Sequence, residues 1–454
     1  VSASDAGPDG PGGPSGAPRS PDAAADAWLR GRELFGIRPG LARMRVLLDR
    51  LGRPEARFDA LHVVGSNGKT STVTMAAALL SRPGARVGAY VSPHLVAFRE
   101  RVHVDGLPVG AAAFASAVAR TRAAAEAIEA DPDVDLDGPV AQFEAVTAAA
   151  FLALADAGVD RAVVEAGLGG RWDATNVLPD RPPSGAPAVA VLTSVSLEHT
   201  RWLGHTVAEI AAEKVEVLRP GGILVLADGL PDEAREVADR VAAGRGATVV
   251  VAPPGSAADD GRGGARVGGP GYQRANLATA MAAVAAYEGH ATDPDGAAVR
   301  AARRIVVPGR FETVSGGPGH DGPTVIHDGA HNPAGFAALA DAVAEAAPPR
   351  PVVVLLGVLD DKDPAAMVSA LAPVADAVVV TAPRNPRALP VERLAATVRD
   401  ALPGVDVGID PSAHGGLARA RTLAGPGGTV LVTGSLHLVA ELRRGPDAPP
   451  GAAF

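Results

Sequence analysis

Apolar residues follow two rhythms along this chain. Short, mostly apolar runs rich in Val, Leu and Ala read as buried strands: Leu61–Val64, Arg86–Val91, Arg161–Glu165, Ala188–Ser194, Ile223–Leu226, Thr248–Ala252, Thr324–His327, Val352–Leu356, Ala377–Thr381 and Val430–Val432. Between them lie longer stretches with helical spacing: Ala25–Phe35, Leu41–Leu51, Thr72–Leu80, Ala111–Ala130, Gln142–Ala157, Thr206–Leu218 and Gln273–Tyr287. In Thr206–Leu218, Thr206 predicts an N-cap and Glu209 completes a capping box. Strands alternating with helices predict an α/β protein with parallel, Rossmann-like sheets. Residues 1–24 hold almost nothing large and apolar, so they predict a disordered tail. The same reasoning leaves 447–454 as a loose end. A domain over 25–305 and a second over 306–446 remain, joined near Pro308-Gly309-Arg310.

Composition narrows the class. The chain has 454 residues, of which 47% are hydrophobic but only 3% aromatic, so its cores are built from aliphatic side chains and alanine. A net charge of −9 argues against a nucleic-acid binder. No run of about eighteen apolar residues predicts a membrane span, and no export signal is legible at the start. With no cysteine there is no disulfide, thiolate metal site or Cys nucleophile. The expectation is a soluble, cytoplasmic monomer acting on small molecules. The acidic stretch DPDVDLDGP lacks the closing Glu of a calcium loop and reads as a solvated turn.

The chemistry concentrates after the first strand. Gly65-Ser66-Asn67-Gly68-Lys69-Thr70-Ser71 places a glycine turn, a lysine and two hydroxyls between a strand and a helix. That layout cradles phosphates: backbone N–H groups and the helix end receive them, Lys69 neutralises charge, and a hydroxyl reaches Mg²⁺. It is not a full Walker A motif, because Val63 stands where the first glycine would fall. Pro93 leaves the Ser92 hydroxyl at a strand's carboxyl end, where α/β proteins bind ligands. Glu165 ends another strand before a glycine-rich turn, positioned like the carboxylate that holds nucleotide-bound Mg²⁺. Lys214 has no acid three or four residues away and lies beside an apolar stripe, an unusual setting for a lysine.

GSNGKTS, SPHL with Arg99-Glu100-Arg101-Val102, EAGLGGRWDATN, Glu198-His199, Glu213-Lys214, Gln273-Arg274-Ala275-Asn276 and DGAHNP stand in the order of the Mur ligase superfamily. The set resembles its folylpolyglutamate synthase and dihydrofolate synthase branch over residues 27 to 444. The resemblance implies a Mur-ligase-type P-loop ATPase domain and a C-terminal Rossmann-like glutamate ligase domain. It implies ATP-dependent ligation of L-glutamate to dihydropteroate or a reduced folate, through an acyl phosphate. It also implies two Mg²⁺ sites: Thr70, Ser92 and Glu165 at the first, His199 and a carbamylated Lys214 at the second. Gly65, Asn67, Gly68, Lys69, Thr70 and Ser71 would hold the phosphates and Asn276 would lie near the adenine. Arg310 would clamp the γ-phosphate. Asp328 and His331 would hold ribose and phosphate or position the amino acid, and Ser435 would offer it a hydroxyl. Phe143 would face the acceptor's ring or simply pack at a helix start.

The chain departs from the family at three places: Glu198 stands where Asp is usual, Val215-Glu216-Val217 follows Lys214, and the 243–271 region is short. These departures keep two other readings open, a ligase for a non-folate carboxylate and a nucleotide-binding protein without ligation.

Overall fold

The computed structural model describes residues 22–32, 40–255, 269–315 and 321–446. The tail expected at 447–454, residues 1–21 of the tail expected at 1–24, and residues 256–268 of the glycine-rich 243–271 region lie outside the described residues; the expected tail ends early, because the first helix already starts at Ala23. The first sheet contains β1 (Asp59–Val64), β2 (Val87–Tyr90), β3 (Val102–Val104), β4 (Leu107–Pro108), β5 (Arg161–Glu165), β6 (Val189–Leu192), β7 (Ile223–Leu226) and β8 (Thr248–Val251). Their spatial order is β4-β3-β2-β5-β1-β6-β7-β8. The strands from β2 to β8 run parallel, and β3 and β4 add an antiparallel edge. The second sheet contains β9 (Glu312–Ser315), β10 (Thr324–His327), β11 (Val352–Leu356), β12 (Ala377–Ala382), β13 (Asp406–Ser412) and β14 (Thr429–Thr433). Its order is β13-β12-β11-β14-β10-β9, parallel except at β9.

Parallel strands covered on both faces need no polar alternation, which explains the continuous apolar runs. The period of two still sorts the side chains. In β11, Val352, Val354 and Leu356 join one core with Phe336, Leu339, Met367 and Leu394, whereas Val353 and Leu355 face Ala420, Leu438 and Val439. In the first sheet, Leu61 and Val63 of β1 pack under the helices Lys69–Leu80 and Gly271–Glu288. Alanines on both helices let them approach closely. Val64 faces the helices Val207–Val215 and Asp232–Gly244. Several of the scarce aromatics meet in a third cluster: Phe151 lies 6.0 Å from Phe58 and 6.2 Å from Tyr90, edge to face.

Leu95, from the SPHL segment after β2, is buried in the second sheet's core, and its carbonyl accepts from Arg444 Nη1 at 3.1 Å. Arg274 pairs with Glu345 at 2.7 Å across the same junction.

The structure corrects several sequence boundaries. The P-loop helix starts at Lys69, three residues before the expected Thr72, and the helix after Thr206 stops at Val215, before Leu218. The capping box is present, with Thr206 Oγ1 accepting from Glu209 N at 3.2 Å. The strands β3, β4, β9 and β13, at or beside sheet edges, carry too little apolar pattern to stand out in the sequence, whereas the helix Asp232–Gly244, apolar at Ala234, Val237, Ala238 and Ala242, was missed despite a helical pattern. Among the described residues no helix is long and apolar enough to cross a membrane.

Candidate active site

Because β2, β5, β1 and β6 are adjacent and parallel, their carboxyl ends open on one edge of the sheet. That edge brings together Ser92 after β2, Glu165 ending β5, the glycine loop after β1 and the Thr193–His199 segment after β6. The loop is seated by its neighbours. Asn67 N donates to Ser194 Oγ at 2.7 Å, and Thr193 Oγ1 donates to the Asn67 carbonyl at 2.7 Å. A side chain at Gly65 would come within 2.0 Å of Thr193 Oγ1. Gly68 has φ +85°, and a Cβ there would meet Asn276 Oδ1 at 2.4 Å, so glycine is required at both turns. Asn276 therefore lies against the loop itself. Lys69 folds back over the loop, donating to the carbonyls of Gly65 at 2.8 Å and Ser66 at 3.3 Å. Ser71 is buried inside the helix that follows.

Glu165 is 1% exposed. Thr70 Oγ1 donates to its Oε1 at 3.1 Å, and Ser92 N donates to its Oε2 at 3.1 Å. Burial pushes its pKa up to about 7, against Lys69, these hydrogen bonds and Arg310, all of which favour the carboxylate. An oxygen donor set of this kind, with a buried carboxylate short of countercharge, suits Mg²⁺.

Beside it, Glu198 and Lys214 form an ion pair at 2.8 Å, with side chains 6% and 1% exposed. Burial alone would raise Glu198, but Lys214 and Lys69 hold it at about 2. Burial lowers Lys214 below the ordinary lysine value although Glu198 opposes the shift. His199 has a left-handed backbone, φ 46°, and caps the short helix Thr200–Leu203. The residue is exposed, yet desolvation of its ring and nearby lysines lower it to about 4, against Glu198. Lys69 acts electrostatically on Glu165, Glu198, His199 and Lys214 alike, so the two clusters share one field. Among the described residues no three of His, Asp and Glu gather at metal-binding spacing; the expected sets depend on hydroxyls and on modification of Lys214.

The second sheet supplies the opposite wall. Asp328 is buried after β10, accepting from Tyr272 OH, Phe311 N and Ala330 N, each at 2.8 Å. Its oxygens thus fix the loop and tie it to the helix Gly271–Glu288. Burial raises its pKa, opposed chiefly by Arg310, which also acts on Glu165. Arg310 therefore stands within electrostatic reach of both walls. The Gly329 carbonyl accepts from His331 Nδ1 at 2.8 Å, which fixes the proton there and leaves Nε2 with a lone pair. Burial and Lys362 hold His331 at about 4, so its ring is neutral near pH 7. Ser435 caps the helix Leu436–Arg444, its Oγ accepting from His437 N at 3.0 Å. Phe143 is half-buried at the helix start, its ring 6.4 Å from that of Tyr90.

Sequence reasoning did not single out Thr193, Ser194, Tyr272, Asn332 or Lys362, which hold or charge this site. Tyr272 and Asn332 stand beside or in quoted motifs; Thr193 and Ser194 carried no signal beyond ending a strand, and Lys362 lies six residues past the strand Val352–Leu356.

The metal-free, nucleotide-free protein should show a pH signature of Glu165. Its folded pKa of about 7 exceeds the ordinary 4.5, so the native state holds a proton more tightly between those values. Stability therefore falls as pH rises through that window and returns as pH drops. Glu165→Gln keeps an acceptor for Ser92 N and gains a donor for Thr70. Chemical denaturation at pH 8 should find it more stable than the parent by up to about 3 kcal/mol, with the difference vanishing near pH 4. A destabilised variant at pH 8 would contradict the assignment.

Comparison with known proteins agrees with this geometry. Residues 309–436 match the family model described as Mur ligase, glutamate ligase domain. A Mycobacterium tuberculosis dihydrofolate synthase/folylpolyglutamate synthase is 38% identical over 394 residues, 79% of this chain and 77% of that protein. The solved M. tuberculosis folylpolyglutamate synthase complexed with ADP superposes with a TM-score of 0.81 at 33% identity, covering 93% of this chain and 97% of that one. Escherichia coli FolC in complex with DHPP and ADP gives 0.77 at 29% identity, covering 94% and 97%. The chain belongs to the dihydrofolate synthase/folylpolyglutamate synthase family of Mur ligases.

Proposed function

We propose that this chain joins L-glutamate to the carboxylate of dihydropteroate or of a reduced folate, driven by ATP. The observation that carries the reading is the meeting of two walls: a phosphate-cradling loop with Lys69 and Glu165 on one, and the Asp328–His331 loop on the other. In this reading residues 25–305 carry the nucleotide and 306–446 the amino acid. Relatives solved with ADP and DHPP support the substrate class.

Ligation brings a triphosphate, an acceptor carboxylate and a dicarboxylic amino acid into one cleft, and their mutual repulsion is the main obstacle. Thr70, Ser92 and Glu165 would hold one Mg²⁺, and His199 with Lys214 a second; bound there, Mg²⁺ neutralises phosphate charge. Lys69 leaves its loop carbonyls to meet the β- and γ-phosphates. The acceptor carboxylate then attacks the γ-phosphorus and ADP leaves, giving an acyl phosphate. Arg310, reaching both walls, neutralises the transferred group. The neutral Nε2 of His331 accepts a hydrogen bond from the incoming amine, which attacks the acyl carbon and displaces phosphate. Closure of the two walls excludes water that would otherwise hydrolyse the acyl phosphate.

Lys214 belongs to the same proposal. Burial lowers the pKa of Lys214 and so eases the loss of the proton that carbamylation requires, and the product carries the negative charge a second metal requires. The carbamate would then sit beside Glu198, and only a bound cation reconciles two such anions. Intact mass at neutral pH, with Mg²⁺ and bicarbonate, should show the mass of one added CO2, absent from Lys214→Ala. An unmodified Lys214 in active, metal-loaded protein would refute it.

Phosphate release from MgATP should require both L-glutamate and a pterin acceptor, dihydropteroate or tetrahydrofolate. Lys69→Ala should lower that release by at least about a thousandfold while leaving the circular dichroism unchanged. Release with neither pterin, from protein that binds MgATP and accepts another carboxylate, would replace the folate reading by a ligase for a different acceptor. The Glu198–Lys214 pair, which departs from the family's Asp, is the observation that favours this second reading.

A further inference from the structure

Asn67 and Asn332 lie 265 positions apart, one in the glycine loop and one in the Asp328–His331 loop. Their side chains meet as a reciprocal amide pair. Asn332 Nδ2 donates to Asn67 Oδ1 at 3.0 Å, and Asn67 Nδ2 donates to Asn332 Oδ1 at 3.3 Å. Each partner is fixed from behind. The Asn67 backbone is tied through N and O to Ser194 and Thr193 on its own sheet. Asn332 is 3% exposed, follows His331 directly, and its Oδ1 also accepts from Gly335 N at 2.7 Å to cap the helix Pro333–Ala346. The pair therefore joins two anchored loops, one for phosphate and one for the amine side.

Lys69 and Arg310 depend on the charge present in the cleft. An amide pair is neutral, and its two-point geometry sets a distance and an orientation whatever the charge state. We propose that Asn332 is a positioning residue for the ligation. Through Asn67 it fixes the register of the His331 loop over the glycine loop, so that the amine meets the acyl phosphate where it forms. This role rests on the ligase reading above.

Asn332→Ser separates the two tasks of the side chain, because serine still caps a helix but is too short to pair with Asn67. Thermal unfolding should be unchanged, and MgATP affinity, measured by calorimetry, should move less than about twofold. The kcat for glutamate-dependent phosphate release should fall about tenfold, the worth of a lost neutral pair. Asn67→Ala should lower kcat as well, and adding Asn332→Ser to it should cost nothing further, since the pair is already broken. Full kcat in Asn332→Ser, losses that multiply in the double variant, or a loss confined to MgATP affinity would overturn the proposal. An unaltered protein without glutamate-dependent turnover would overturn the ligase reading and this inference with it.

Discussion

The structure is organised around a carboxyl group placed where water cannot screen its charge. Glu165 ends a buried strand with 1% exposure, faces a loop built to receive more negative charge, and has its own pKa pushed to about 7. Such a carboxylate is costly unless cations are brought to it. Lys69 and Arg310 are two such cations, and the proposed function adds a Mg²⁺ that Thr70, Ser92 and Glu165 would hold. Lys69, at the first turn of the helix, acts on both Glu165 and Glu198.

Topology does the gathering. Four parallel strand ends from β2 to β6 deliver a hydroxyl, a carboxylate, a phosphate loop and the Glu198–His199 segment to one edge, although these residues span more than a hundred positions. The second sheet meets that edge with the loop after β10. Leu95 in the second core, Tyr272 on Asp328 and the Arg274–Glu345 pair fasten the junction at separate points. The site is thus a property of two sheets facing each other, and neither alone holds both the glycine loop and the His331 loop.

Much of this was legible in the sequence, for physical reasons that also mark the limits. Central strands such as Val352–Leu356 are apolar on both faces and declare themselves, whereas β3, β4 and β13 lie at or beside edges and carry mixed residues. Glu165, Ser92 and the glycine loop were visible because each ends a strand or turns the chain. The burial of Lys214 was foreshadowed by its missing helix partner, but its pairing with Glu198 needed the fold, since the two come from different segments. The same holds for Asn67 with Asn332 and Tyr272 with Asp328. Phe143 left two readings open, and its half-buried ring beside Tyr90 is compatible with both.

The central claim is that the cleft activates a carboxylate by phosphorylation before the amine arrives. Dihydropteroate labelled with ¹⁸O in its carboxylate tests this directly, with MgATP and L-glutamate as co-substrates. The account predicts one ¹⁸O atom carried into each released phosphate, because the acyl C–O bond breaks when the amine attacks. Glutamate-dependent phosphate release that leaves all the label in the ligated product would contradict it.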